Sequence, residues 1–245
     1  MRQTGDGAVR LVLVLVILGF AGPPPVHAAE MTASYAMKIR GFTVGVARLS
    51  SNADTRGYAV TGLIENTGLT RVFRHFSYHG AAQGNIGAAR LLPQHYQENA
   101  DTGRRVTDAE LAYDKGVPEV VRYNSPNPVG QDTPDPATQG GTIDPLTAIY
   151  SLLRDVPRDT ACKLDVMIFD GRRRSRIFMI PATGSGAIPR CNGVYERLQG
   201  FTAKELSRNT RFDFVLDYSR LSNDMLRVES IVFDSSYGTA ALVRR

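Results

Sequence analysis

The side chains most able to do chemistry in this 245-residue chain are four histidines and two cysteines. His75 and His79 stand four apart, a spacing that puts them on one face of either a helix or a strand. With His95 or a carboxylate they could ligate a metal or serve a hydrolase as general base. A zinc site would need that third ligand and outer support, and no H-E-x-x-H motif frames the pair. The intervening Phe76-Ser77-Tyr78 reads as a half-buried strand, so surface or satisfied histidines are the simpler reading.

Nucleophilic chemistry finds little support. Ser185 in "TGSGA" lies between glycines, but Thr183 and Ala187 occupy the outer positions that a G-x-S-x-G elbow gives to glycine. Glu196, Glu205, Asp213 and Asp217 are scattered, and no glycine-rich phosphate or dinucleotide loop is present. The chain also lacks tryptophan for stacking on sugars. No cofactor, metal or catalytic set is expected, and the chain is read as non-catalytic.

Cys162 and Cys191 lack the C-x-x-C spacing of a redox pair and are too few for a structural zinc site. In an oxidising compartment they are expected to form a disulfide. "FDGRRRSRIF" (169–178) raises a different question. A two-residue turn at Asp170-Gly171 would pair Phe169 with Arg172, Met167 with Arg174 and Asp165 with Arg176. Arg172, Arg174 and Arg176 would then share one side of a hairpin. They form either a candidate patch for an anionic envelope surface or the solvated rim of a tight turn.

The N-terminus indicates the compartment. Arg2 and Arg10 precede the aliphatic run Leu11–Phe20, prolines break it, and Val26-His27-Ala28 offers small residues for cleavage. This is the layout of a secretory signal peptide, with an apolar run too short to span a membrane. Residues 1–29 are expected to be cleaved, after Ala28 or Ala29, leaving a soluble periplasmic chain; a retained anchor is the alternative. Losing Arg2, Arg10 and Asp6 lowers the net charge of +5 by one. That modest balance, and export itself, exclude a nucleic-acid partner and allow at most a peripheral membrane contact.

The elements that must position these residues are mostly strands. "SYAMKIRGFTVGVARLS", "RGYAVTGLIEN", "KLDVMIF", "TRFDFVLDY" and "MLRVESIVFD" carry alternating or β-branched patterns bounded by turn residues. A short helical turn is expected at Leu69–Phe73. Residues 124–142 are proline- and glycine-rich, an irregular loop of the kind that forms lids, linkers or docking elements. One helix follows at 144–156, with Asp144 as N-cap and Pro145 at its first position. Its apolar face is Leu146, Ile149, Tyr150, Leu153 and Val156. The fold class is mainly β: a large curved antiparallel sheet or half-barrel of roughly nine to eleven strands around one α-helix. Residues 30–245 make a single domain. The helix either fills the concave face or leaves a groove for acyl chains or apolar peptides.

"RLLPQHYQENADTGRRVTDAELAYDKG", "DPLTAIYSLLRD", "CKLDVMIFDGRRRSRIF", "CNGVYERLQGF" and "VESIVFDSSYGTAALVRR" together resemble the exported bacterial proteins called the domain of unknown function 3108 family. The resemblance implies a periplasmic, mainly antiparallel β protein with a disulfide and no established activity. It transfers no catalytic residue. In plan it is also distantly similar to periplasmic half-barrels that carry or sense lipoproteins and lipids. The resulting expectation is cell-envelope maintenance by binding an apolar ligand (lipid, lipoprotein or peptide) or an envelope protein. An envelope hydrolase using His75, His79 or His95, and a scaffold docking through loop 124–142, are the alternatives.

Overall fold

The computed structural model describes residues 29–68, 76–126, 132–184, 186–235 and 237–245. The leader 1–28, the expected turn at Leu69–Phe73, His75 and Ser185 therefore lie outside the described residues. The strands are β1 (Ala29–Ile39), β2 (Phe42–Ala53), β3 (Gly57–Asn66), β4 (Ser77–Ile86), β5 (Leu91–Asp101), β6 (Val106–Asp114) and β7 (Val117–Asn124). After the irregular segment and helix α1 (Pro145–Leu153) come β8 (Val156–Pro157), β9 (Asp165–Phe169), β10 (Arg174–Pro181) and β11 (Arg190–Gln199). Helix α2 (Ala203–Arg208) precedes β12 (Arg211–Arg220), β13 (Met225–Ser235) and β14 (Gly238–Arg244).

These strands form one 14-stranded sheet in the order β7-β6-β5-β4-β3-β2-β1-β14-β13-β12-β11-β10-β9, with β8 pairing beside β13. Every named strand pair is antiparallel. The sheet has more strands than the sequence pattern suggested, partly because "SYAMKIRGFTVGVARLS" is two strands. Arg40 (φ 50°) and Gly41 (φ 85°) both take left-handed backbone, the geometry of a tight hairpin turn. The first and last strands meet, with Tyr35 opposite Arg244 and Ile39 opposite Ala240.

β7 and β9 would be bare edges, and the segment 132–143 covers the gap between them. The Gly141 amide donates to the Gly116 carbonyl (2.8 Å), and Arg90 Nη1 donates to the Gly141 carbonyl (2.8 Å). Ile143 makes a parallel bridge to Ile168: its amide donates to the Met167 carbonyl and its carbonyl accepts from the Phe169 amide, both 2.9 Å. Gln139 and Thr142 are buried. Within the described part of loop 124–142, Gln139 and Thr142 are thus wall material, while Asp132, Thr133, Asp135, Ala137, Thr138 and Gly140 stay exposed.

α1 lies inside the curved sheet. Leu146 packs against Gly62, where a Cβ would come within 2.8 Å of Leu146 Cδ1. Tyr150 stacks on Tyr58, ring centroids 5.7 Å apart. Leu146, Tyr150 and Leu153 are buried in the main core, while Ile149 is half-buried against it. Val156 is not helical: the helix ends at Leu153, and Val156 pairs with Leu226 of β13. Pro157 cannot continue a helix. The chain has a second helix, α2, whose Thr202–Glu205 capping box is present in the sequence as T-x-x-E.

The Cys162–Cys191 disulfide ties the stretch before β9 to the first turn of β11, with Cα atoms 5.3 Å apart. Closing a loop of that length stabilises by about 3–4 kcal/mol on the chain-entropy account. Among the described residues no helix is long and apolar enough to cross a membrane.

Asp144 caps α1 from a fully buried position (0% exposed). Its Oδ1 accepts from the Thr147 amide (2.8 Å) and its Oδ2 from Thr147 Oγ1 (2.6 Å), and Tyr58 Oη lies 2.8 Å from the same Oγ1. Burial opposes the charged form more strongly than these bonds favour it, and the carboxyl's pKa rises to about 6. The folded protein thus keeps a proton between about pH 4 and pH 6 that the unfolded chain has released. Stability from this group is fully present below that window, falls as pH rises through it, and stays low above it. Asp144→Asn, which retains an N-cap acceptor, is expected to flatten the loss. The difference between wild-type and variant unfolding free energies should change by up to about 3 kcal/mol across the window. Urea unfolding at several pH values measures this.

Candidate ligand groove

On the inner face of β10–β14 the alternation places Ile177, Tyr195, Phe212, Phe214, Ile231, Phe233 and Leu242 side by side. The pairings Ile177–Tyr195, Tyr195–Phe212, Phe214–Phe233 and Ile231–Leu242 set them in adjoining rows. Gly193, opposite Phe214, has no side chain, and the Phe214 ring lies in that space: a Cβ there would sit 2.1 Å from Cζ. Leu152 of α1 forms the opposing wall, and the space between is a cavity of about 420 Å³. That lies at the lower end of the roughly 300–1,000 Å³ typical of small-molecule sites. Its apolar lining side chains are half-buried except for Ile231, and Asp213 on the rim is exposed, so the apolar surface reaches solvent.

The groove exists because α1 is short. Nine residues extend about 13 Å, enough to contact β3, β4, β5 and β9. The inner face of β10–β13 is buried in the core at Met179, Cys191, Leu216 and Val228, and the end of that face beyond Leu152 is left open. The expected groove-lining set is corrected accordingly. Leu146, Tyr150 and Leu153 are core, Ile149 is half-buried against that core, Val156 is in β8, and Leu152, about a third of a turn round from that face, is the helix residue that lines the groove.

Arg197 stands at the mouth, its guanidinium carbon 4.8 Å from the Phe212 ring centre and 5.3 Å from that of Phe201. Its Nη1 donates to the carbonyls of Glu205 (2.8 Å) and Asn209 (2.9 Å). Beside it Arg173 lies over Phe201 and donates to Glu205 Oε1 at 2.9 Å. Burial opposes ionisation of Glu205. Bonds from Thr202 and the two guanidinium charges outweigh it, and the pKa is lowered. Arg197 and Arg173 thus stand at the mouth of an apolar trough, with Glu205 paired to Arg173 and exposed Asp213, paired to Arg211, on its rim.

The arginine hairpin has a different register from the two-residue turn. Asp170 Oδ1 accepts from the amides of Arg172 (2.9 Å) and Arg173 (2.6 Å), and the Asp170 amide donates to the Arg173 carbonyl. The turn therefore takes four residues, and Phe169 faces Arg174 while Met167 faces Arg176. Arg172 is turned inward, only 6% exposed, with its guanidinium 5.3 Å from the Tyr123 ring centre across the β7–β9 gap. Arg176 is chelated by Asp165 (2.8 and 2.6 Å), and half-buried Arg174 reaches Gln139 (3.4 Å). These three side chains do not form an open anionic-surface patch.

The described histidines stay apart. His79 is exposed on β4 opposite Asn99, and His95 on β5 is opposite Gln83, four residues further along the shared ladder. His95 Nε2 is 3.0 Å from Glu110 Oε1, and Glu110 also pairs with Arg122. Among the described residues no cluster of histidine, cysteine or carboxylate side chains could hold a metal ion. A larger depression of about 540 Å³ lies on the outer face by His95, lined by short groups such as Thr32, Ser50, Asn52 and Thr61. Water solvates such groups well, so the smaller apolar groove is the better binding site.

A family model described as "Protein of unknown function (DUF3108)" matches residues 34–196. No curated protein matches the chain. Among solved structures, the chain is similar to a beta-barrel-like protein of domain of unknown function DUF1849 from Brucella abortus. The identity is 9%, the coverage 90% of this chain and 97% of that one, and the TM-score 0.47.

The hairpin geometry separates neighbouring arginines by experiment. Arg172→Ala is expected to destabilise by about 2–3 kcal/mol through loss of a buried stacked cation. Arg174→Ala should cost no more than about 1 kcal/mol. Urea midpoints of the two variants give the comparison.

Proposed function

Taking as premise that this chain belongs to the DUF3108 family, we propose that it is an exported, non-catalytic envelope protein that binds the acyl chain of an amphiphile. The observation that carries this reading is the open apolar groove of about 420 Å³ between Leu152 and the inner faces of β10–β14. Burying an acyl chain there gains roughly 0.8 kcal/mol per methylene. The guanidinium of Arg197 at the mouth favours a carboxylate or phosphate headgroup over a neutral one. Both features come from side chains held by paired strands, so the site is formed before the ligand arrives.

The periplasm as location is supported by the signal-peptide pattern of residues 1–29 and by the Cys162–Cys191 disulfide. β1 starts at Ala29, so cleavage after Ala28 leaves every described strand whole. N-terminal sequencing of the exported protein should find Ala29 or Glu30 first.

Dodecanoate is a suitable probe of the groove. At about a hundredfold excess over its Kd, it should raise the melting temperature by about 5–10 °C, and native mass spectrometry should show one bound chain. Leu152→Glu places a charge in the wall and is expected to abolish both effects. A wild-type melting temperature left unshifted by dodecanoate, with no acyl ligand seen bound to or co-purifying with the protein, rules the reading out.

A further inference from the structure

The odd-numbered strands run in one direction, so the connections from each to the following even strand gather at one end of the sheet. At that end two neighbouring hairpins carry the most exposed large apolar side chains among the described residues. Phe42, beside the β1–β2 turn, is 78% exposed, and Tyr237, in the β13–β14 turn, is 65% exposed. The two turns are joined: the Arg40 amide donates to the Thr239 carbonyl at 2.9 Å. The Arg40 side chain lies across Gly238, where a Cβ would meet its Nε at 2.7 Å.

Basic side chains share this end of the sheet. Arg40 is exposed between the aromatics, Arg104 and Arg105 are exposed in the β5–β6 turn, and Lys204 and Arg208 are exposed on α2. Among the acidic groups of the same end, Glu205 pairs with Arg173, while Asp101, Asp132 and Asp234 accept from the Gly103 amide, the Gly200 amide and the Thr239 hydroxyl and keep their charge, so the five exposed basic side chains outnumber these three carboxylates. Phe212 and Arg197, at the groove mouth, are close to the β11–β12 connection at this end.

Exposed aromatics on hairpin tips with cations at the same end match the chemistry of a membrane interface. Aromatic rings settle at headgroup depth, and arginine and lysine are attracted by anionic lipid. We propose that this end of the sheet, through Phe42, Tyr237, Arg40 and the basic groups of α2 and the β5–β6 turn, docks on an anionic lipid surface. The docked orientation points the groove mouth toward the bilayer. The docking surface goes beyond the acyl-binding reading and does not depend on it.

Cosedimentation with phosphatidylglycerol-containing vesicles, beside pure phosphatidylcholine vesicles, tests the proposal on the mature protein. Wild type should bind the anionic vesicles, and the binding should weaken with added salt. Phe42→Ser with Tyr237→Ser should weaken it at least about tenfold, and Arg40→Ser by roughly fivefold. Because these side chains are exposed, melting temperatures should stay at the wild-type value. Phe42→Ser with Tyr237→Ser should keep the wild-type melting-temperature response to dodecanoate, which separates this surface from the groove. Equal binding by wild type and the aromatic double variant overturns the proposal. So does wild-type binding to native membranes but not to pure lipid, which would point to a protein receptor.

Discussion

A single antiparallel sheet this large has two edges, and unpaired strand edges invite association with other chains. Everything else in the fold follows from how these two are handled. β7 and β9 do not pair directly. The segment 132–143 hydrogen-bonds to the β6–β7 turn on one side and to β9 on the other. Because that segment leads straight into Asp144, the helix starts at the gap and is directed into the interior. Its short length then decides which part of the concave face is filled and which remains a groove.

The charged side chains are distributed by the same constraint. Arg172 gives up solvent to stack on Tyr123 across the gap, and Gly171 beside it lies against the same ring, where a Cβ would come within 2.7 Å. Asp170 is half-buried; desolvation raises its pKa although the Arg172 and Arg173 amides favour its ionised form. On the outer face the arrangement is different. Arg176 and Arg211 share Phe178 and the carboxylates of Asp165, Glu196 and Asp213, and the charges there are largely cancelled by ion pairs. A run of arginines thus divides into buried, half-buried and chelated members within five residues.

Local pattern made much of this legible. Alternation in "TRFDFVLDY" identifies Phe212, Phe214, Leu216 and Tyr218 as one face, and Asp144-Pro145 announces the start of α1. The same pattern cannot say whether that face is covered, because coverage depends on helix length and on a seam formed by residues far away in sequence. The turn at Asp170 shows a second limit. Asp-Gly suits a two-residue turn, but one carboxylate oxygen accepting two successive amides stabilises a four-residue one and moves the ladder by two positions. Arg172 could not be read as buried without Tyr123, which comes from a strand nearly fifty residues earlier. α2 was readable from its T-x-x-E start, though its single exposed turn and a half lacks the apolar stripe that marks α1.

The pairing of β1 with β14 bears on the order of events during folding. Tyr35 and Arg244 are 209 residues apart, yet their side chains bond directly. The sheet's central ladder therefore cannot form until the last residues of the chain have been synthesised. Closing so long a loop before any contact rewards it makes for slow assembly. Until then the N-terminal meander and the C-terminal strands are two half-sheets with exposed edges. A chain of this design holds its two halves unjoined until β1 and β14 meet, and places a premium on keeping those halves apart until then.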